Sequence, residues 1–193
     1  MTVEVGSGST LFLLPDPVTC FRAARYNQIQ TFKIQPDASV VLLDWITSGR
    51  KSLGEDWAFS KYFSVNELLV GGRRVARDAM LLEESEDNLK TLKPRSLADR
   101  LSPYSCYATA ILYGPQTRST MEHLFSRFGA ITVFKHASRP STLWSLTPID
   151  DGRGCVLRVA GQTTEDVRTW LGEELQRLRE LVGEDVYYRT FGR

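Results

Sequence analysis

The stretch ASVVLLDWITSGRKSLGEDWAF at residues 38–59 decides the fold of this chain. It begins with apolar residues at 40–43, a run that is rich in β-branched side chains and far shorter than a membrane span. Such a run predicts a strand that is buried on both faces. Asp44 follows it directly, and an acid in a dry strand is costly unless it is paired, hydrogen-bonded or next to water. The functional question therefore starts with this carboxylate, which stands between an apolar strand and glycine-containing turns.

Length and composition are those of an ordinary globular protein. The chain has 193 residues, enough for one domain with a full core, and 42% of them are hydrophobic. Its net charge of +1 argues against a nucleic-acid binder held by bulk electrostatics. No apolar run approaches the roughly 18 residues of a membrane span, and the N-terminus lacks a secretory signal pattern. Three scattered cysteines favour a reduced setting. We therefore expect a cytoplasmic protein with neither a membrane nor a nucleic acid as partner.

The pattern of residues around this strand divides the chain into stretches. Residues 1–9 are small and polar and are expected to be a disordered or residual N-terminal segment. Residues 10–84 hold alternating and apolar runs and a Gly-Gly hairpin signal at 71–72, which predict a β-rich region. Residues 85–103 are charged and predict a linker, with a solvated helix as the alternative. Residues 104–193 are expected to form a unit of strand, helix, two strands and helix. The predicted fold class is mostly β with an α+β C-terminal part.

Two helices are predicted in the C-terminal unit. Pro115 suits the first turn of a helix, and apolar residues follow at helical spacing as far as Gly129. Thr163 and Asp166 resemble a capping pair, which would start the stronger helix, and its apolar stripe continues to Gly183. Short strands are predicted between the helices at residues 131–135 and 143–146, and a hairpin loop at Asp151-Gly152 is predicted before residues 154–160.

The residues that several kinds of active site require are missing or scattered. The chain has two histidines, His123 and His136. The first lies in an amphipathic helix, where a solvated or core-edge role is favoured over catalysis. There is no GxSxG motif and no complete phosphate-binding loop. A structural zinc site would need clustered Cys and His residues, which this sequence lacks.

What remains is a set of carboxylates in unusual positions. Each of them alone favours a structural role. Asp16 and Glu55-Asp56 suit turns, Asp44 suits hydrogen bonds from the backbone or an arginine at a strand end, and Asp78 suits an arginine partner. Together they would also suit a divalent cation that oxygen ligands and water hold weakly. The residues alone leave both interpretations open.

A family resemblance bears on that choice. The stretch LLPDPVTCFRAARYNQ at 13–28, the block at 38–59 and RDAMLLE at 77–83 resemble the urease accessory protein of the UreD, or UreH, family. The segment from LDW to GR is the specific part, and the resemblance runs from about residue 13 to the C-terminus. It implies stacked, flattened, β-helix-like sheets followed by a helical C-terminal part. It also implies a non-enzymatic maturation factor.

The resemblance further implies partners and a cargo. The protein would bind urease and, with the accessory proteins UreF and UreG, the latter a GTPase, help to deliver nickel to the urease active site. No cofactor would be bound tightly, and nickel(II) would only be in transit. Asp44 and Asp78 fall on acidic positions of the family pattern and are the candidate transit ligands. Glu55 is a weaker candidate, and no catalytic residue is expected.

One departure from the family pattern keeps alternatives open. Family members carry strands ahead of the LP motif, whereas this chain begins close to it, so the resemblance implies a shortened chain with an exposed sheet edge. Such a chain would be either active, a scaffold that bridges its partners without passing metal, or an inactive fragment. A small enzyme on a β-rich fold is a further alternative, although the sequence shows no nucleophile–base pair for it.

Overall fold

Two stacked β-sheets, with the helices of the C-terminal part on one outer face, make up the computed structural model, which describes residues 1–84, 95–131 and 140–192. Sheet A has the strand order β1 Thr2–Val5, β4 Arg25–Ile34, β6 Lys61–Val70 and β7 Arg73–Glu83. Sheet B has the order β2 Thr10–Leu13, β5 Ser39–Thr47, β8 Cys106–Tyr113, β10 Gly154–Gly161 and β9 Thr142–Ile149, and β3 Val18–Thr19 also pairs with β5.

The first half of the chain winds back and forth between the two sheets. Strands β1, β4 and β6 are parallel neighbours in sheet A, and β2 and β3 both run parallel to β5 in sheet B. The chain therefore forms stacked coils of the kind found in a β-helix. The β6–β7 hairpin then turns at Gly71 and Gly72, whose φ angles of 54° and 82° match the left-handed conformation of such a turn. The prediction of a mostly β fold with an α+β C-terminal part is confirmed.

Strand β5 is buried on both faces because it lies in the middle of the molecule. Its odd-numbered residues face the helices, namely Val41, Leu43 and Trp45. Its even-numbered apolar residues face sheet A, namely Val40, Leu42 and Ile46. Since successive side chains of a strand point to opposite faces, Asp44 shares the face that looks toward sheet A.

The helices of the described residues are α1 Leu97–Leu101, α2 Arg118–Gly129, α3 Thr164–Glu174, α4 Arg179–Val182 and α5 Glu184–Phe191. Leu124 of α2, Leu171 of α3 and Phe191 of α5 join one core cluster with Leu112 and Leu157 of sheet B. Sheet B is therefore the middle layer of the molecule. None of the helices described is long and apolar enough to cross a membrane.

The described residues bear on three expectations about individual segments to different extents. Residues 1–9 are not a disordered or residual segment, because β1 pairs in parallel with β4 of sheet A. In the predicted linker at 85–103, the described part contains α1, and residues 85–94 lie outside the described residues. Of the strand predicted at 131–135, only residue 131 is among the described residues. His136 also lies outside the described residues.

The stronger C-terminal helix is shorter than predicted. The capping pair is confirmed, because Thr163 and Asp166 each accept a hydrogen bond from the other's backbone N–H at the start of α3. The helix ends at Glu174, however, and a 3₁₀ turn at Gln176–Leu178 precedes α4. The apolar stripe that predicts one helix as far as Gly183 is thus shared by α3, this turn and α4.

Candidate functional site

A layer of polar side chains divides the apolar interior between the two sheets. One apolar cluster, which includes Phe32 and Leu68, lies on one side of it, and a second cluster, which includes Ile46 and Trp57, lies on the other. Along the contributing strands, the side chains that face inward are apolar in the first cluster, polar in the middle and apolar again on the other side. These residues form what we call the polar layer: Gln28 and Gln30 of β4, Asp44 of β5, Ser64 and Asn66 of β6, Asp78 of β7, Thr109 of β8 and Arg158 of β10.

The register of the strands keeps the polar layer at one level. Residues paired directly across neighbouring strands point their side chains to the same face. The paired rows are Asp44–Thr109–Arg158 in sheet B and Gln28–Ser64 and Gln30–Asn66–Asp78 in sheet A. Side chains that lie far apart in the sequence therefore meet between the sheets.

Asp44 lies in the middle of the polar layer and is held by uncharged donors. Its Oδ2 accepts hydrogen bonds from Ser64 Oγ at 2.5 Å and from Asn66 Nδ2 at 2.7 Å. Its Oδ1 accepts from Tyr62 Oη at 3.3 Å and, at the limit of hydrogen bonding, from Gln28 Nε2 at 3.5 Å. In these contacts the negative charge is balanced by dipoles rather than by a cation.

Two stacked tyrosines border the polar layer. The rings of Tyr26 and Tyr62 lie 5.3 Å apart and nearly parallel, and Tyr26 donates to Gln28 Oε1 at 2.6 Å. Burial raises the pKa of both phenols, and the charge of Asp44 raises it further. Both hydroxyls therefore stay protonated at neutral pH and serve as hydrogen-bond donors.

Asp78 of β7 lies at the end of the polar layer opposite to Gln28 and Gln30 of β4, and it has a cationic partner. Arg158 Nη2 donates to Asp78 Oδ1 at 2.5 Å, with the carboxylate side chain 10% exposed and the arginine side chain 46% exposed. The arginine pairing that the sequence favours for Asp78 is thus present, and it comes from a strand 80 residues further along the chain.

Glu55, the third candidate ligand, lies in the loop after β5 and is engaged elsewhere. Arg50 donates to both of its carboxylate oxygens, from Nε at 2.9 Å and from Nη2 at 2.8 Å. These hydrogen bonds lower the pKa of Glu55 against the opposing effect of burial. The guanidinium of Arg50 also lies 4.3 Å above the ring of Phe21. The structure thus gives Glu55 a role in fixing this loop.

Beside Asp78 the polar layer meets a cleft of about 360 Å³, here named the β10 cleft. Its inner wall includes Thr109, whose Oγ1 is buried and, among the described residues, forms no hydrogen bond. Arg158 lies beside it in the same cross-strand row. Across the described ranges, no three His, Cys, Asp or Glu side chains come close enough to hold a metal ion together.

Sequence reasoning selects two members of the polar layer, Asp44 and Asp78, and misses the uncharged ones and Arg158. A signal for Gln28 and Gln30 is present in β4, because they occupy the same alternating face as apolar Phe32. That face is apolar at its end and polar in its middle, which is unusual for a strand against a core.

Comparison with known proteins gives a consistent family. A family model described as UreD urease accessory protein matches residues 1–191. Urease accessory protein 4 of Cryptococcus neoformans var. grubii is 36% identical over 98% of this chain and 61% of its own length. Urease accessory protein D of Oryza sativa subsp. indica is 32% identical over 97% of this chain and 65% of its own. Urease accessory protein UreD of Anaeromyxobacter sp. is 34% identical over 98% and 60%. The chain thus spans less than two thirds of the length of these relatives.

Proposed function

Because this chain belongs to the UreD family of urease accessory proteins, we propose that it takes part in the maturation of urease. In this proposal it is a non-enzymatic protein of the cytoplasm that binds urease. Together with UreF and UreG it supports the insertion of nickel(II) into the urease active site. Nickel is the cargo of this process and is held only in transit.

The observation that carries the nickel part of the proposal is the polar layer with Asp44 at its centre. A carboxylate between two apolar clusters is costly to keep charged unless donors surround it. Ser64 and Asn66 meet that need without neutralising the charge. A dication that approaches Asp44 would gain the attraction of the carboxylate and the oxygen atoms of the same hydroxyl and amide groups. In this proposal the polar layer is the oxygen-lined route by which a cation crosses an otherwise apolar interior.

The polar layer is partly open to solvent at both of its ends, and Asp44 itself is half-buried. At one end Gln28 and Gln30 are half-buried, because β1 pairs only with the last part of β4, from Thr31 to Ile34. At the other end, Arg158 reaches the β10 cleft with about half of its side chain exposed. A route between these ends would cross the sandwich from one side to the other.

The chemistry of the donors suits transfer better than storage. Nickel(II) binds imidazole and thiolate ligands strongly and isolated carboxylate, amide and hydroxyl oxygens weakly. Asp44 and Asp78 supply only oxygen atoms. Weak ligands let an ion leave as readily as it enters, which a transit site requires.

Urease loading in a reconstituted system tests the proposal. Urease apoprotein is incubated with nickel, UreF, UreG and this protein, and the nickel content and activity of urease are measured. We expect Asp44→Asn to bind its partners normally and to lower nickel loading at least about fivefold. Asp185→Asn, which changes an exposed acid on α5, is the matched control and should load like the wild type. Wild-type loading by Asp44→Asn at equal protein concentration would exclude the route.

The ion pair of Asp78 favours a second candidate function, a scaffold that bridges urease to its metal donor. A carboxylate that already holds Arg158 is a poor cation ligand, so one end of the route is closed in this structure. Ser64→Leu, which places an apolar side chain in the middle of the layer, separates the two functions. Retained complex formation with unchanged loading would favour the scaffold, whereas retained complex formation with lost loading would favour the route.

A further inference from the structure

The floor of the β10 cleft is apolar along one side and polar along the other. It consists of two neighbouring cross-strand rows of sheet B, whose side chains lie on the same face of the sheet. These rows are Tyr107–Ala160–Leu143 and Thr109–Arg158–Ser145. Met80 of β7 lines the cleft from sheet A. Leu143 is 54% exposed, so a large apolar side chain is left open to solvent beside the polar row.

The polar end of the cleft can receive an anion. Arg158 is the one charged residue that lines the cleft within the described part of the chain, and its guanidinium carries more donors than the single bond to Asp78 uses. Next to it lies Thr109, a residue that is only 3% exposed. Its Oγ1 is buried and has no hydrogen-bond partner among the described residues. A buried hydroxyl without a partner is costly. A carboxylate between Thr109 and Arg158 would accept from both.

The edges of the two sheets favour a polypeptide segment as the occupant. Among the described strands, β7 pairs only with β6, and β9 pairs only with β10. The cleft thus lies between two strands whose outer edges have no strand partner within the described residues. An extended segment can pair with such an edge through its main chain while its side chains fill the adjacent pocket. Apolar side chains of the segment would cover Leu143 and Met80.

We infer that the β10 cleft binds an extended segment of a partner protein, in which an Asp or Glu stands between apolar residues. The carboxylate of this segment binds Arg158 and Thr109 and draws Arg158 away from Asp78. In consequence Asp78 becomes free to face the polar layer. This last step rests on the proposed function, because only there does a free Asp78 serve a passing cation. The binding step stands independently of it.

Peptide binding by the whole purified chain tests the inference without urease or nickel. The probe is the capped pentapeptide VLELV, and the control peptide VLQLV replaces its carboxylate by an amide. Isothermal titration gives the affinities. We expect the acidic peptide to bind about tenfold or more tightly than its control, the ratio typical of a charge-assisted hydrogen bond. Arg158→Gln should remove this preference, whereas Arg189→Gln, at an exposed arginine on α5, should leave it intact.

Two further variants report on the exchange of Arg158. Asp78→Asn releases Arg158 from competition and should tighten binding of the acidic peptide severalfold. Thr109→Val keeps the shape of the side chain without its hydroxyl and should weaken binding severalfold. Circular dichroism and thermal unfolding confirm that each variant is folded. A purely apolar cleft would show neither effect.

Several results would overturn the inference. Equal affinity for the two peptides, or wild-type binding by Arg158→Gln, would show that no carboxylate is recognised. Hexanoate that binds as tightly as the acidic peptide would make a small carboxylate the ligand. Self-association in sedimentation that Arg158→Gln abolishes would make a second copy the occupant. None of these results would change the nickel loading measured with Asp44→Asn, so the two proposals fail separately.

Discussion

Replacing Asp44 by Asn should weaken the fold by a modest and calculable amount. The best orientation of the amide keeps its oxygen where Oδ2 accepts from Ser64 and Asn66, and turns its NH₂ group toward Tyr62, whose hydroxyl can accept. A hydrogen bond to a charged group contributes about 1.5–3 kcal/mol and a neutral one about 0.5–1.5 kcal/mol. In Asp44→Asn two hydrogen bonds are each weakened by about 1 kcal/mol, but the neutral amide costs less to bury than the carboxylate. We therefore expect the free energy of unfolding to fall by about 1–2 kcal/mol.

Asp44→Leu should be more severe, because it leaves the donors of Ser64 and Asn66 without an acceptor. At about 1–3 kcal/mol for each unsatisfied group, the loss is about 4 kcal/mol. Both variants should remain folded if the wild type has the usual stability of about 5–15 kcal/mol. The Asn variant is therefore the one suited to the loading experiment.

Urea unfolding followed by tryptophan fluorescence measures these differences. A double-mutant cycle of Asp44→Asn with Asn66→Leu measures how much the negative charge of Asp44 strengthens its hydrogen bond with Asn66. We expect a coupling energy of about 1 kcal/mol. An Asp44→Leu variant more stable than Asp44→Asn, or a coupling energy of zero, would refute the role given to these hydrogen bonds. The carboxylate would then be held in some other way.

Three other perturbations test separate parts of the structure. The pKa of Glu55 is lowered in the fold by Arg50, so its contribution to stability is present above its ordinary value of about 4.3 and is lost as the pH falls through the lower folded value. The difference in stability between the wild type and Glu55→Gln should therefore be constant above about pH 5.5 and shrink in more acid solution, as urea titrations at several pH values would show. Gly114→Ala should cost at least about 2 kcal/mol in the same assay, because Gly114 has φ of 95° and an added Cβ would lie 2.2 Å from the Ala38 carbonyl oxygen. Leu171→Ala should cost about 2–5 kcal/mol, since this side chain is buried between α3 and sheet B, and calorimetry should show a lower Tm.

Much of the fold could be predicted from local signals. The apolar run at 40–43 predicts the central strand because a strand covered on both faces has no polar alternation. The Gly-Gly pair at 71–72 and the capping pair at Thr163 and Asp166 each act within a few residues, so their positions could be predicted closely. The pairing of β1 with β4 depends on residues nearly thirty positions apart. The sequence of residues 1–9 alone does not indicate that β1 pairs with β4.

The candidate site was less accessible to sequence reasoning because its members are ordinary residues in ordinary strands. The pair Asn66-Glu67 favours a bulge or turn by its local sequence. Both residues lie within β6, however, and the register shift of that strand falls between Leu68 and Leu69. In β7 the apolar residues Val75, Ala79, Leu81 and Leu82 predict the inward positions, but Ala79 and Leu81 are exposed and Asp78 takes the inward face. The apolar character of the alternate residues pointed to the wrong face.

The position of Asp44 follows from the apolar residues around it rather than from its own contacts. A shift of β5 by one residue would turn Asp44 toward the helices and Leu43 toward sheet A, which would bury a carboxylate in the largest apolar cluster. Val40 and Leu42 on one side of Asp44 and Ile46 on the other, each matched to an apolar cluster of sheet A, hold the register against that shift. The two apolar clusters therefore do more than stabilise the sandwich. They fix the level at which its polar side chains meet, so the fold itself aligns the Asp44 carboxylate with Ser64 and Asn66, which donate to it.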